Sequence, residues 1–144
     1  MPGQKEPTAI CGELDVAFAY SGEARRMNVT IIQAYNLPSK DQGGCSSYRV
    51  RILLYPTKRQ RAKTRIREGS NPDYKELFRF TRLYPHELVG ITLRLRLYGT
   101  ERMRRERLVG EGQVKFSSLN TATQQIVRVK LESRSEMAVS ILNL

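Results

Sequence analysis

The 144-residue sequence contains no tryptophan, one histidine and two cysteines, and each scarcity closes a line of interpretation. Cys11 and Cys45 fit neither a disulfide framework nor a metal-ligand spacing, and His86 alone cannot complete a zinc set. Both cysteines therefore read as reduced thiols. No Ser/His/Asp or Cys/His spacing stands out, and no glycine-rich loop leads into a helix to cradle phosphate, so neither catalysis nor a cofactor is expected. Long apolar runs are also missing. Nothing approaches the roughly eighteen residues of a membrane span, and MPGQKEPTAI holds no stretch apolar enough for a signal peptide, which predicts a soluble domain of cytoplasmic type.

Acidic residues are scarce as well. Fourteen Asp and Glu face twenty-five Lys and Arg, a net charge of +11, and eighteen of the basic residues are arginine. Such an excess predicts an acidic partner: a phosphate-rich membrane surface, a nucleic acid or an acidic protein. At 16.6 kDa the chain is one domain, long enough to bury roughly 70% of its unfolded surface without staples.

What the sequence does have is period-two alternation. Leu14, Val16, Phe18 and Tyr20 alternate with Glu13, Asp15, Ala17 and Ala19, the pattern of a half-buried strand. Similar strands are expected over 27–35, around Val50, Ile52 and Leu54, and at 61–67, 77–80, 91–98, 108–116 and 125–131. Asn36-Leu37-Pro38 and SKDQGGCSS form a turn-rich loop between the second and third. The fold class is therefore all-β, an eight-stranded antiparallel β-sandwich. Residues 1–10 are expected to be a disordered lead-in, 11–132 the domain, and 133–144 a tail whose SILNL end either packs on the sandwich or hangs free.

Four ordered segments within about 12–131, GELDVAFAY, VTIIQAYNLPSKD, SNPDYKELFRF and LVGEG, resemble the C2 domains of the synaptotagmin family. The resemblance implies a C2 sandwich with three loops clustered at one end, cytoplasmic and peripheral to membranes, in a parent chain that carries a second C2 domain and a membrane anchor. In calcium-binding relatives five acidic positions on the first and third loops hold the ions. Here those positions are Asp41, Ser47, Gly99, Glu101 and Arg107, so three have lost their carboxylate and one is a cation. Arg102, Arg104 and Arg105 crowd the same loop. At an effective dielectric near 20, unit charges about 4 Å apart interact by roughly 4 kcal/mol, and a divalent ion feels about twice that from a close arginine. No calcium site is expected, and the chain is similar to the calcium-independent members. Asp41 is left with a loop-turn or salt-bridge role.

The positive feature is the stretch 46–67, with Arg49, Arg51, Lys58, Arg59, Arg61, Lys63, Arg65 and Arg67 and no acid. Alternation puts Arg49 and Arg51 opposite in facing to Val50, Ile52 and Leu54, and Arg61, Lys63, Arg65 and Arg67 opposite to Ala62, Thr64 and Ile66. If the two strands pair, these cations share a sheet face, with Arg94 and Arg96 as a third row. The resemblance implies that this face recognises anionic phospholipids, phosphoinositides or phosphatidylserine, or else acidic trafficking proteins or a second copy of the chain. Charge on a solvent-facing sheet also simply prevents edge-to-edge association, and that reading stays open. Near an anionic membrane each basic residue contributes about 1 kcal/mol, so a lone domain would bind weakly and reversibly. A second candidate is the tip Arg102, Met103, Arg104, Arg105, where Met103 stands at a position often apolar and membrane-facing in relatives. Nucleic acid is an unlikely partner, since most Tyr and Phe fall in core register and leave few exposed rings to stack bases.

Overall fold

The computed structural model describes residues 10–133. Nine strands account for most of them: β1 (Ile10–Ser21), β2 (Arg26–Tyr35), β3 (Ser47–Tyr55), β4 (Arg61–Lys63), β5 (Arg67–Glu68), β6 (Asp73–Phe80), β7 (Thr92–Thr100), β8 (Glu106–Lys115) and β9 (Gln125–Ser133). All pairings are antiparallel. The order runs β4-β3-β7-β8-β9-β1-β2-β6, with β5 also on β3. Among the described residues, Gly110–Ser133 and Glu111–Glu132 pair β8 with β9. At this seam the sheet folds over into two packed layers. A Cβ on Gly110 would lie 2.2 Å from the Cys11 sulfur, so the seam closes only over a residue without a side chain.

Alternation builds the core between the layers. Val50, Ile52 and Leu54 of β3 and Leu93, Leu95 and Leu97 of β7 meet Leu14, Val16 and Phe18 of β1 and Met27, Val29 and Ile31 of β2, all buried. Phe18 meets Phe116 edge to face, with centroids 6.1 Å apart. The buried Tyr74 hydroxyl donates to the Tyr48 carbonyl at 2.6 Å, which ties β6 to β3 across the core.

The all-β sandwich is as expected, but 61–67 is not one strand. At Thr64 the side chain takes over the ladder: its hydroxyl accepts the Val50 N–H at 2.9 Å while the Thr64 N–H reaches the Val50 carbonyl. The backbone then turns towards β6, where Glu76 accepts the Arg65 N–H at 2.8 Å. Gln60 makes a two-way bond with the Thr81 backbone, donating at 2.7 Å and accepting at 2.9 Å. These contacts close the gap between edge strands β4 and β6. Ile10 and Ser133, expected in the lead-in 1–10 and the tail 133–144, belong to β1 and β9, and the rest of both segments lies outside the described residues.

On the far layer, Arg128 of β9 grips Asp15 of β1 with two bonds of 2.8 and 2.9 Å, and its guanidinium stacks over Tyr35 at 4.4 Å. The bonds from Arg128 hold the Asp15 carboxyl below the usual carboxylate range. A depressed acid contributes stability above its ordinary pKa and loses it as pH falls through the folded value. Asp15→Asn should therefore lower the melting temperature at pH 7 and match the parent in strong acid, which thermal melts across pH will check.

Candidate functional site

The outer face of the β4-β3-β7-β8 layer collects the basic residues. Register sets Lys63 opposite Arg51 and Arg51 opposite Arg96, while Arg61 and Arg94 flank Leu53. Arg49 lies one step along, opposite Tyr98. Arg65 does not join them. The turn after Thr64 carries it to β6, where its guanidinium stands 3.9 Å from Glu76.

The face is also not free of acids. β8 brings Glu106 and Glu111, which sequence neighbourhood could not reveal. Glu106 bridges Arg49 at 3.3 Å and Arg51 at 2.7 Å, and Glu111 lies 2.7 Å from Arg96 and 3.9 Å from Arg94. The six cations named against these two carboxylates leave +4, and exposed Lys115 of β8, in phase with Glu111 and opposite Thr92, adds a further charge at one end. Arg61 and Lys63 are exposed and make no ion pair among the described residues. A shallow groove of about 480 Å³ runs between them and Arg51, Arg94 and Arg96. Tyr55 and Tyr98 also face outward, contrary to the expected core register of the aromatics. Their rings are already covered, Tyr98 by Arg51 at 5.4 Å and Tyr55 by Arg94 at 4.8 Å and Lys58 at 5.2 Å. A base could stack there only by displacing a cation.

At one end of the sandwich, loop 1 (36–46) and loop 3 (101–105) face each other. Loop 1 is wound on the Tyr48 hydroxyl, which accepts the Cys45 N–H at 2.9 Å and donates to the Pro38 carbonyl. Beneath loop 3, a Cβ on Gly99 would lie 2.4 Å from the Cys45 sulfur, so loop 1 occupies the space a side chain there would need. Arg107 joins the two loops. It donates to Glu101 at 2.5 Å, to the Gly43 carbonyl at 2.9 Å and to the Cys45 sulfur at 3.4 Å. Above it a cleft of about 850 Å³ is lined by Lys40, Ser47, Thr100, Arg102, Met103 and Arg105 among others. Met103 and Arg104 both take left-handed backbone angles, φ 61° and 60°, and Met103 is 92% exposed. Two such residues in succession cost about 1–2 kcal/mol each, strain concentrated at the loop tip.

A family model described as C2 domain matches residues 25–131. The chain belongs to the C2 domain family. It is 32% identical to synaptotagmin-2 of Mus musculus over 110 residues and 35% identical to synaptotagmin-5 of Mus musculus over 122 residues. Those alignments cover 76% and 83% of this chain but 26% and 31% of the relatives, so the chain spans about a quarter to a third of their length. Among solved structures, a C2 domain of RIM from Drosophila superposes with a TM-score of 0.76 at 19% identity, over 86% of this chain and 100% of that one. The first C2 domain of human synaptotagmin XIII gives 0.60 at 21%, over 90% and 94%.

C2 domains of this group can hold calcium between loops 1 and 3, so the residues at the five expected positions must be tested against that ion. Asp41 is exposed on a short 3-10 turn (Lys40–Gln42), does not line the cleft and makes no ion pair among the described residues. Ser47 has joined β3, Gly99 has no side chain, and Glu101 is held by the cation at Arg107. Among the described residues no three His, Cys, Asp or Glu side chains come together. Calcium takes about six to eight oxygen ligands, so this donor set does not fit it. The sequence pointed to the lost carboxylates; it gave no sign that Arg107 would link the loops.

Gly99→Ala should cost about 1–3 kcal/mol by chemical denaturation, because the new methyl overpacks Cys45. Arg107→Leu should leave the core intact yet speed amide exchange at Gly43–Cys45 and Glu101–Arg105, measured by NMR.

Proposed function

We propose that this C2 domain is a calcium-independent docking module for anionic phospholipid membranes in vesicle trafficking, acting at the cytoplasmic face as a peripheral domain. The observation that carries the reading is the pair Arg61 and Lys63, exposed and without acidic partners among the described residues, beside the groove that Arg51, Arg94 and Arg96 line. The ion pairs with Glu106 and Glu111 hold the inner arginines in fixed positions, while the outer two remain available to phosphate. Arginine suits that task because its planar donor fork matches phosphate oxygens. The tip residues Arg102, Met103, Arg104 and Arg105 add a second contact, with the exposed Met103 at interface depth and the guanidinium groups at headgroup level. At about 1 kcal/mol per basic residue near the surface, five or six such residues give weak, reversible and salt-sensitive binding. In a longer parent chain a second C2 domain would raise it through effective concentration.

Liposome flotation with phosphatidylserine and phosphoinositide should show binding that is equal in calcium and in chelator and is lost at high salt. Arg61→Glu with Lys63→Glu should weaken it by about tenfold or more. Binding that appears only with calcium overturns the reading. Absence of lipid binding together with a dimer in light scattering moves the basic face to self-association, and absence of lipid binding with capture of acidic trafficking proteins moves it to an adaptor role. Calorimetric titration with calcium should show no site tighter than about a millimolar; one that does overturns the calcium-independent part.

A further inference from the structure

The end of the sandwich opposite loops 1 and 3 carries a recess of its own. β3 runs from Ser47 to Tyr55 and β7 returns from Thr92 to Thr100, so segments 56–60 and 81–91 meet at the end away from those loops. They enclose about 690 Å³, within the roughly 300–1,000 Å³ of ligand pockets. Leu54 and Leu83 close its base, while exposed Pro56 and half-buried Ile91 present apolar surface to an entering group. The two-way bond between Gln60 and Thr81 fixes one wall. A smaller recess of about 430 Å³ adjoins it and shares Thr81 and Arg82, which places Arg82 between the two.

Charge here is one-sided. Arg59 and Arg82 line the larger recess, are exposed, and make no ion pair among the described residues. Arg25, in the smaller recess, donates to the Tyr84 hydroxyl at 2.9 Å and lies 5.0 Å over that ring. Glu87, the one carboxylate lining either recess, already accepts the Tyr84 N–H at 3.1 Å. Three cations against one carboxylate leave +2. Arg25 and Arg82 both hold left-handed backbone angles, φ 53° and 59°, joined by the Leu83 N–H to Arg25 carbonyl bond of 2.9 Å. That conformation favours glycine, so folding alone gives no reason for an arginine at either position. Two large apolar side chains of the same segment, Tyr84 and Val89, are exposed as well.

We propose that this end of the sandwich binds a short acidic segment of a partner protein, with one large apolar side chain seated in the larger recess and carboxylates on Arg59, Arg82 and Arg25. The planar guanidinium fork matches a carboxylate, and the apolar floor supplies an anchor that charge alone would not. Two adjoining recesses with a cation between them suit an extended chain better than a compact ion. A domain docked through loops 1 and 3 turns this end away from the bilayer, which favours a protein over a lipid; in that respect alone the inference rests on the membrane reading.

The probe is the acetylated heptapeptide Glu-Asp-Glu-Phe-Glu-Asp-Glu, titrated into the isotopically labelled domain and followed by NMR. Amide shifts should concentrate at 57–60 and 81–91. Replacing the phenylalanine of the peptide by serine should weaken binding by about tenfold or more, the loss expected when a large apolar group is no longer buried. Arg59→Glu and Arg82→Glu should each weaken it by about tenfold, while Lys130→Glu on the other layer, the same change in net charge, should not. Equal binding of the two peptides, shifts confined to Arg51, Lys63 and their neighbours, or no shifts at all overturns the site. Vesicles of phosphatidylserine and phosphoinositide form the second arm: if they move the same amides and displace the peptide, the occupant is lipid and the proposal fails. Peptide binding at the recess with no lipid flotation keeps the site and removes the membrane reading, and flotation without peptide binding does the reverse.

Discussion

The register between β3 and β7 is the constraint on which the rest depends. From Ser47 opposite Thr100 to Tyr55 opposite Thr92 the nine pairs run without a shift. Because side chains alternate across a sheet, the choice that drives Val50, Ile52, Leu54, Leu93, Leu95 and Leu97 into the core also drives Arg49, Arg51, Arg94 and Arg96 out. Slipping β3 by one residue against β7 would bury Arg49 and Arg51 and expose Val50, Ile52 and Leu54. The hydrophobic effect therefore fixes the basic face as firmly as it fixes the core, and the cations need no attraction of their own to assemble.

The carboxylates of β8 act within that frame. Between Leu97 and Tyr98 the β7–β8 ladder has a bulge, so Glu111 pairs on one side of it opposite Arg96 and Glu106 on the other side opposite Thr100. Both reach the outer face, and each is shared between two arginines. In partly buried pairs of this kind the cost of desolvating the charges offsets much of their attraction, so singly they add little stability. Their larger effect is geometric, since they halve the charge of the four inner arginines and leave the charges of Arg61 and Lys63 unshared. A strand face that looked uniformly basic is thus graded, paired at its centre and open at its edge.

Alternation made most strands, the core and the outward rows legible in the sequence, because period two is a local property. What stayed hidden was non-local. Glu106 lies 55 positions from Arg51, and no local pattern joins them. The break at Thr64 came from a hydroxyl that substitutes for a backbone acceptor, which alternation cannot register; a threonine between basic residues reads as any other inward position. Tyr55 and Tyr98 look like core residues by type, yet their phase is that of the arginines beside them. The loops were legible only by resemblance: lost carboxylates could be counted, but the link that Arg107 makes between Gly43, Cys45 and Glu101 depends on two loops meeting.

That link changes what the loop end of the sandwich can respond to. A metal joining two loops is a conditional cross-link, present only when the ion is, and it moves an equilibrium by no more than its differential affinity for the two loop arrangements. A guanidinium on the chain is present at every ion concentration. With Arg107 bonded to both loops, the separation of the walls is set by folding itself, and Gly99 leaves no room for a carboxylate that would draw an ion in. The strained turn at Met103 and Arg104 is then held by covalent neighbours and by the Glu101 N–H to Arg105 carbonyl bond of 2.7 Å, not by a ligand. In the calcium-independent reading, the domain has exchanged a switch for a fixed surface. In that reading, regulation acts through the composition of the membrane the surface meets, because the described loop residues offer a divalent cation too few oxygen ligands to rearrange.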